Sequence, residues 1–343
     1  MITIDGAFGA GGGQMLRTAL GLSAVTAQPF RMVNIRAGRP KAGLAEQHLQ
    51  AVRAVASLCR GKVTGAELRS TELTFTPGPL TTGSLQIPIR TAGSVGLVLQ
   101  SLLIPATRLA LDLTVKGGAT YGKFAMPVHH LKYVMLPLLE KMGWGAKVVV
   151  ESEGFFPKGG ARVRVTSKPG RLSPLALEVP GRLKAVAGIS VAHRSLKGAR
   201  VADRQAEAAA DRIRASLGVE PDIEVAYVEA VCPGSGIQLW ATTEQSLLGG
   251  NSLGERGKTS ETVGAEAAAE VIEALDGGCA VDPLTADQLL PYLALAGGGV
   301  YTTHAITDHV TTNAHVIEHL LPVKIEAADG RIRCRPASGD PPS

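Results

Sequence analysis

A chain of 343 residues, 45% hydrophobic and 19% charged, has the apolar material for two domains or for one large domain with an insertion. Aromatic residues are only 4%, which disfavours nucleic-acid recognition built on rows of stacking platforms. The net charge of +5 suits a nucleotide or nucleic-acid partner without demanding one, and no polybasic tail is present.

The first distinctive stretch is "GAFGAGGGQMLR", Gly6 to Arg17, a glycine-dense loop that runs into the Leu-rich helix "GGGQMLRTALGLSAV". Such a loop at a helix N-terminus is a natural seat for an anion. It lacks the Lys-Ser/Thr pair of a Walker A loop, and Gln14 stands where the dinucleotide fingerprint has its last glycine. A tight strand-to-helix turn between closely packed helices accounts for the glycines equally well. Arg17, one turn into the helix, weighs toward the anion. A strand, "FRMVNIRAG", follows and leads into "IRAGRPKAGLAEQHL". Arg36 and Arg39 then lie at the strand end, in a Gly/Pro loop before a helix, where paired guanidinium groups can fork onto phosphate oxygens. A solvated basic loop is the alternative.

The helix "LAEQHLQAVRAVASLCRG" and the strand "ELTFTPG" come next. The order then recurs: helix "TAGSVGLVLQSLLIPA", strand "LALDLTVKGG", helix "MPVHHLKYVMLPLLEKMGWG", strand "AKVVVESEG". Residues 182–277 read as a compact α/β insertion. It has strands "LKAVAGISVA", "DIEVAYVEAV" and "SGIQLWATTE", and helices "ADRQAEAAADRIRASLG" and "SETVGAEAAAEVIEAL". The pattern resumes with "TADQLLPYLALAG", "GGVYTTHA", "TTNAHVIEHLLP" and "VKIEAADGRIRCRP", and the tail 338–343 is expected to be disordered. The cysteines Cys59, Cys232, Cys279 and Cys334 form no CxxC, as expected of reduced thiols in a cytoplasmic protein. No apolar run is long enough to suggest a membrane span or a signal segment.

Each first helix carries a glutamine (Gln14, Gln100, Gln288) and each second helix a histidine (His48, His130, His315). Both sets step by about 85 and then about 185 residues, the mark of an internal repeat with an insertion. The expected fold is α/β (α+β): three strand-helix-strand-helix-strand-strand units form a large domain over 1–181 and 278–337, with 182–277 as a smaller inserted domain.

Four histidines, His304, His309, His315 and His319, crowd the C-terminal stretch. "HVIEH" matches the H-x-x-E-H zinc-peptidase pattern through His315, Glu318 and His319, but a third ligand is not evident in the sequence. His309 falls in the loop "ITDHVTT", where the first unit places Arg36 and Arg39. It reads either as a group facing a phosphate site or as a surface residue.

Taken together, "DGAFGAGGGQMLRTALGLS", "IRAGRPKAGLAEQHL", "FFPKGGARVRV", "PGSGIQLWA", "GERGKTSETVG", "ADQLLPYLALAGGG" and the His309 loop resemble the RNA 3′-terminal phosphate cyclases, in order and over nearly the whole chain. The resemblance implies three βαβαββ repeats with an inserted α/β domain. It implies ATP-dependent conversion of an RNA 3′-phosphate to a 2′,3′-cyclic end with Mg²⁺ or Mn²⁺, through a histidine–AMP adduct on His309. It further implies phosphate and RNA binding by Arg17, Arg36, Arg39, Gln47 and His48. ATP binding falls to Gln100 and to Leu284, Thr285, Ala286, Asp287 and Gln288. The sequence departs from the family pattern at three places. Ala10 stands where a metal-binding glutamate is usual, His129 and His130 replace an acid and an aromatic, and Leu284 replaces a histidine. The loss of the glutamate leaves a non-catalytic RNA-binding relative as the alternative.

Overall fold

A computed structural model describes residues 1–9, 11–123 and 125–337. The chain opens with β1 (Ile2–Asp5), α1 (Gln14–Thr26), β2 (Phe30–Val33), α2 (Glu46–Leu58), β3 (Lys62–Thr64) and β4 (Leu73–Thr76). It continues with β5 (Gly83–Ser94), α3 (Val95–Ala106) and β6 (Leu111–Ala119). Next, α4 (Val128–His130) passes through a π-helical stretch, Leu131–Met135, into α5 (Leu136–Lys141). β7 (Ala146–Ser152), β8 (Arg162–Ser167) and the short β9 (Leu175–Leu177) follow. An excursion then comprises β10 (Leu183–His193), α6 (Val201–Leu217), β11 (Asp222–Val228), β12 (Ser235–Thr243), β13 (Leu247–Leu253) and α7 (Ser260–Asp276). The chain ends with α8 (Pro283–Leu295), β14 (Gly299–Thr302), α9 (Asp308–Leu320), β15 (Val323–Ala328) and β16 (Arg331–Pro336).

Three sheets share one design: β1-β2-β4-β3, β5-β6-β8-β7 and β9-β14-β16-β15. In each, the first pair is parallel and the other two pairs are antiparallel. A parallel pair needs a crossover, and α1, α3 and α8 supply it in the three sheets. These crossover helices are apolar nearly all round, which suits helices packed in the middle of a structure. In α1 every residue from Gln14 to Ala24 is buried. α1 packs on α2, α3 and α9, and α8 packs on α9. Removing side chains such as Met15, Leu16, Leu20 and Leu22 fully from water contributes about 1.5–3 kcal/mol each as an upper estimate.

The excursion forms a fourth sheet, β11-β10-β12-β13, with α6 and α7 packed together and its own apolar cluster around Ile213, Leu239, Leu248 and Val271. The mixed α+β character agrees with the sequence reading, and several boundaries differ from it. β2 stops at Val33 rather than running on to Gly38, because Asn34 and Arg36 take positive φ (52° and 57°) and turn the chain. β3 and β9 have three residues each, too few to show a period. β13 carries Gly249 and Gly250 in mid-strand, a pattern that reads as a loop. Among the described residues no helix is long and apolar enough to cross a membrane.

Candidate active site

The glycine loop starts from a fixed point. The Asp5 carboxylate accepts hydrogen bonds from the Ala7 N–H and from Asn34 Nδ2, both at 3.0 Å, and these bonds, the Ala7 one first, lower its pKa. The loop then leans on α9: Gly9 has φ +57°, and a β carbon there would lie 2.4 Å from Thr312 Oγ1. It ends at Gly13, which caps α1 without a side-chain acceptor, so among the described residues no side chain at the cap takes up the first N–H groups of α1. A β carbon on Gly13 would fall 2.0 Å from His48 Nε2, so the backbone there must be bare for the imidazole to approach.

His48 is 3% exposed. Burial, then Arg17 and Arg36, press its pKa well below 6.5, so the ring is neutral. Its Nδ1 accepts the Ala45 N–H at 3.3 Å, which leaves the proton on Nε2, aimed at the start of α1. The next residue back, Gln47, accepts the Ser94 N–H at 3.1 Å and ties α2 to the N-terminus of α3.

Arg17 lies one turn into α1 and is 8% exposed. Its Nε donates to Gln100 Oε1 at 2.8 Å. Burial lowers its pKa to about 10, Asp287 opposes that shift, and Arg36 and Arg39 add to it. The guanidinium therefore stays charged at neutral pH. Asp287 accepts hydrogen bonds from Gln14 and, at 2.5 Å, from Gln288. Burial raises its pKa to about 7 against the pull of Arg17. Gln14 Oε1 is buried with no hydrogen-bond partner among the described residues, an acceptor beside the helix N-terminus. Arg17, Gln100 and Gln288 also line one small cavity of about 20 Å³.

Arg36 holds its left-handed backbone by donating from the guanidinium to the Gly43 carbonyl at 2.7 Å. Its pKa is lowered by burial first and then by Arg39 and Arg69. Arg39 is exposed on the same loop. His309 is not in the loop before α9, where the sequence pattern put it, but in the first turn of that helix, since Thr307 is the cap. The residue is exposed at the surface. Partial burial of the ring, followed by the charges of Arg17 and Arg39, lowers its pKa from 6.5, with Asp308 opposing. Its imidazole thus shares the electrostatic field of Arg17 and Arg39, which come from α1 and the β2–α2 loop.

The other expected positions are distributed unevenly. Leu284 is partly buried against the core, and Thr285 and Ala286 are fully buried. The Thr285 hydroxyl is engaged by Asp282 and by His130, and the Ala286 carbonyl accepts from Tyr301. Asp287 and Gln288, by contrast, turn toward Gln14 and Arg17. His129 pairs with Glu153 at 2.7 Å, and His130 takes part in a buried network with Thr285 and Gln238. Ala10 and the tail 338–343 lie outside the described residues.

Two residues that sequence reasoning passed over hold the site together. Asn313 accepts from Thr18 at 2.6 Å and donates to the Asp287 carbonyl at 2.6 Å, joining α1, α8 and α9. Phe8 stacks on His315 with ring centroids 3.9 Å apart. The only clue to either in the sequence is their placement near a candidate residue. The zinc-peptidase arrangement is not formed: among the described residues no group of three or more His, Cys, Asp or Glu is placed to hold an ion, and Glu318 is engaged elsewhere. Glu318 accepts the Ile325 N–H at 2.7 Å and Lys324 Nζ at 3.2 Å, and His319 Nδ1 bonds to the His315 carbonyl at 2.7 Å.

A divalent ion fits the protein's own donors poorly. Among the described residues no group of three or more His, Cys, Asp or Glu is placed to hold one. Asp287, the carboxylate beside Arg17, is already engaged by two amides and favours its proton. The arrangement as a whole offers a helix N-terminus, three guanidinium groups and two imidazoles with lowered pKa, which suits phosphate binding and nucleophilic chemistry.

A family model described as RNA 3′-terminal phosphate cyclase matches residues 8–327. The chain is 42% identical over 336 residues to a protein of Methanopyrus kandleri named RNA 3′-terminal phosphate cyclase, covering 95% of each. It is 44% identical over 339 residues to the protein of that name from Caldivirga maquilingensis, covering 95% of this chain and 94% of that one. For the Thermococcus kodakarensis protein the identity is 43% over 323 residues, covering 92% of each. With a match of this extent behind the geometry, the chain belongs to the RNA 3′-terminal phosphate cyclase family.

Proposed function

We propose that this protein converts an RNA 3′-terminal phosphate into a 2′,3′-cyclic phosphodiester at the expense of ATP, with His309 as the nucleophile. What carries the reading is the family match over residues 8–327 together with the place of His309 in the first turn of α9, where burial first, and then the charges of Arg17 and Arg39, lower its pKa from 6.5. Neutral imidazole is both a nucleophile near pH 7 and, once protonated, a leaving group.

In the first step a His309 ring nitrogen attacks the α-phosphorus of ATP. An N–P bond forms, the bond to the bridging oxygen breaks, and pyrophosphate leaves with the electron pair. An oxygen of the RNA 3′-phosphate then attacks the same phosphorus, and the imidazole leaves, regaining its lone pair. The 2′-hydroxyl oxygen finally attacks the 3′-phosphorus, AMP departs, and the hydroxyl proton is lost to the medium. The bare 3′-phosphate has no good leaving group, and adenylylation provides one. Ring closure gains from proximity, because the 2′-oxygen is already beside the phosphorus.

In this reading the crowded phosphate oxygens are met by the N-terminus of α1, Arg17, Arg36 and Arg39, with Gln47 and His48 supporting them. ATP lies along Gln100 and Asp287–Gln288, while Leu284, Thr285 and Ala286 back the helix that carries them. Mg²⁺ or Mn²⁺ is the cofactor that the family resemblance implies. Residues 182–277 act as an inserted domain, a division supported by their separate sheet and apolar cluster.

The test uses ATP labelled at the α-phosphate. Acid-labile, alkali-stable label is expected on the protein, absent in His309→Ala and retained in His48→Ala. Absence of label with either metal would move the assignment to a non-catalytic RNA-binding protein.

A further inference from the structure

We propose that the turn Phe156–Lys158 is a stacking platform for the unpaired nucleotides just upstream of the RNA 3′-phosphate. The proposal rests on the RNA-end reading above and names how the strand leaves the site.

Phe156 is 74% exposed. The other exposed phenylalanine among the described residues, Phe8, is already stacked on His315, whereas Phe156 has no ring partner among them. Its exposure does not come from a loose loop. Phe155 is buried against Tyr121, with centroids 6.4 Å apart, and its carbonyl accepts the Gly159 N–H at 2.7 Å and the Cys232 thiol at 3.2 Å. The neighbouring ring is therefore displayed on a fixed turn, which lowers the entropic cost of stacking a base on it.

A run of close glycine contacts links the turn to Gln47 on α2. At Gly159 a β carbon would meet the Gly118 and Thr91 carbonyl oxygens at 2.8 and 2.9 Å. At Gly118 it would meet the Gly93 carbonyl at 2.6 Å, and at Gly93 it would meet Gln47 Cβ at 3.2 Å. Gln47 in turn precedes His48, whose ring covers the start of α1. Exposed cations line the same end of the β5–β6–β8 sheet. Lys158 is on the turn, Arg90 adjoins Thr91, and Lys116 sits on β6 opposite Pro88. None of the three makes an ion pair among the described residues, in contrast to Arg162 on the neighbouring strand, which pairs with Glu151. One unpartnered aromatic face among unpaired cations, linked by that run to Gln47, has the chemistry of single-stranded nucleic-acid binding.

The test is fluorescence anisotropy with a 5′-labelled, unpaired RNA oligonucleotide bearing a 3′-phosphate, and competition by a nucleoside 3′-monophosphate. Phe156→Ala is expected to weaken oligonucleotide binding at least about tenfold, while Phe156→Trp retains it. The preference for oligonucleotide over mononucleotide falls in the alanine variant, and Lys158→Ala lowers the salt dependence of binding. Unchanged oligonucleotide affinity in Phe156→Ala, or no oligonucleotide binding by the unaltered protein, overturns the platform. If the unaltered protein takes no label from ATP while Phe156→Ala still loses RNA, the cyclase reading fails and the platform stands.

Discussion

The imidazole of His48 rests directly on the backbone of Gly13, with Nε2 2.0 Å from where a β carbon would be. Neither side can yield easily, because Gly13 caps α1 and His48 is buried at the first turn of α2. Gly13→Ala must therefore move the ring or the helix start. The expected cost is about 1–3 kcal/mol of stability, with a fall of about 100-fold in the rate of label uptake from ATP. Gly13→Ala combined with His48→Ala makes room for the methyl group and is expected to regain both stability and the labelling rate of His48→Ala. Thermal unfolding and labelling time courses of the four proteins check this.

In the proposed mechanism the pH dependence of label uptake follows from His309. Its pKa is below 6.5 in the folded protein, so the neutral, reactive ring persists to lower pH than a free imidazole would allow. The acid limb of the initial rate is expected below pH 6.5. Arg39→Ala removes a positive charge that disfavours imidazolium, so the limb moves to higher pH. A limb that stays in place in this variant would separate Arg39 from the nucleophile.

Asp287 gives a sign that is unusual for a carboxylate. Its pKa is about 7 when folded, against 3.8 for the exposed group, so the folded state binds the proton more tightly. Its contribution to stability is fully present below about pH 4 and is lost as pH rises toward 7. Asp287→Asn keeps an acceptor oxygen for Gln14 and Gln288 and removes the titration. Denaturant unfolding at a series of pH values is expected to show a shallower loss of stability from pH 4 to 7 in this variant.

These residues also show what could be read in advance. The crossover helices were legible because they are apolar over three turns or more, and "GGGQMLR" and "IRAGRPKAG" announced their loops by glycine, proline and arginine. The turn at Asn34 was not legible, because it depends on two non-glycine residues with positive φ. The His309 boundary was missed because Thr307 caps α9 without a side-chain hydrogen bond to mark it, and Asp308 reads as well in a loop as in a first turn. The pairs Gln14–Asp287 and Thr18–Asn313 bridge 273 and 295 residues of sequence, and no local pattern encodes such contacts.

The last relationship lies between the excursion and the three-sheet body. Gln238 Nε2 on β12 faces His130 Nδ1 at 3.3 Å, and His130 Nε2 bonds to Thr285 Oγ1 at 2.8 Å. Thr285 donates to Asp282, which also accepts the Gly249 N–H at 3.1 Å. His130 is fully buried, and that burial lowers its pKa from 6.5 despite the opposing influence of Asp282 and Gln238. The unfolded chain therefore binds the proton more readily, and stability falls as pH drops below 6.5. His130→Leu keeps much of the volume but breaks the chain of hydrogen bonds, for an expected cost of about 1–3 kcal/mol at pH 8. Because the variant has no proton to take up at this position, its stability should decline less between pH 6.5 and 5 than that of the unaltered protein. Parallel slopes in the two proteins would mean that His130 is not held neutral by its burial.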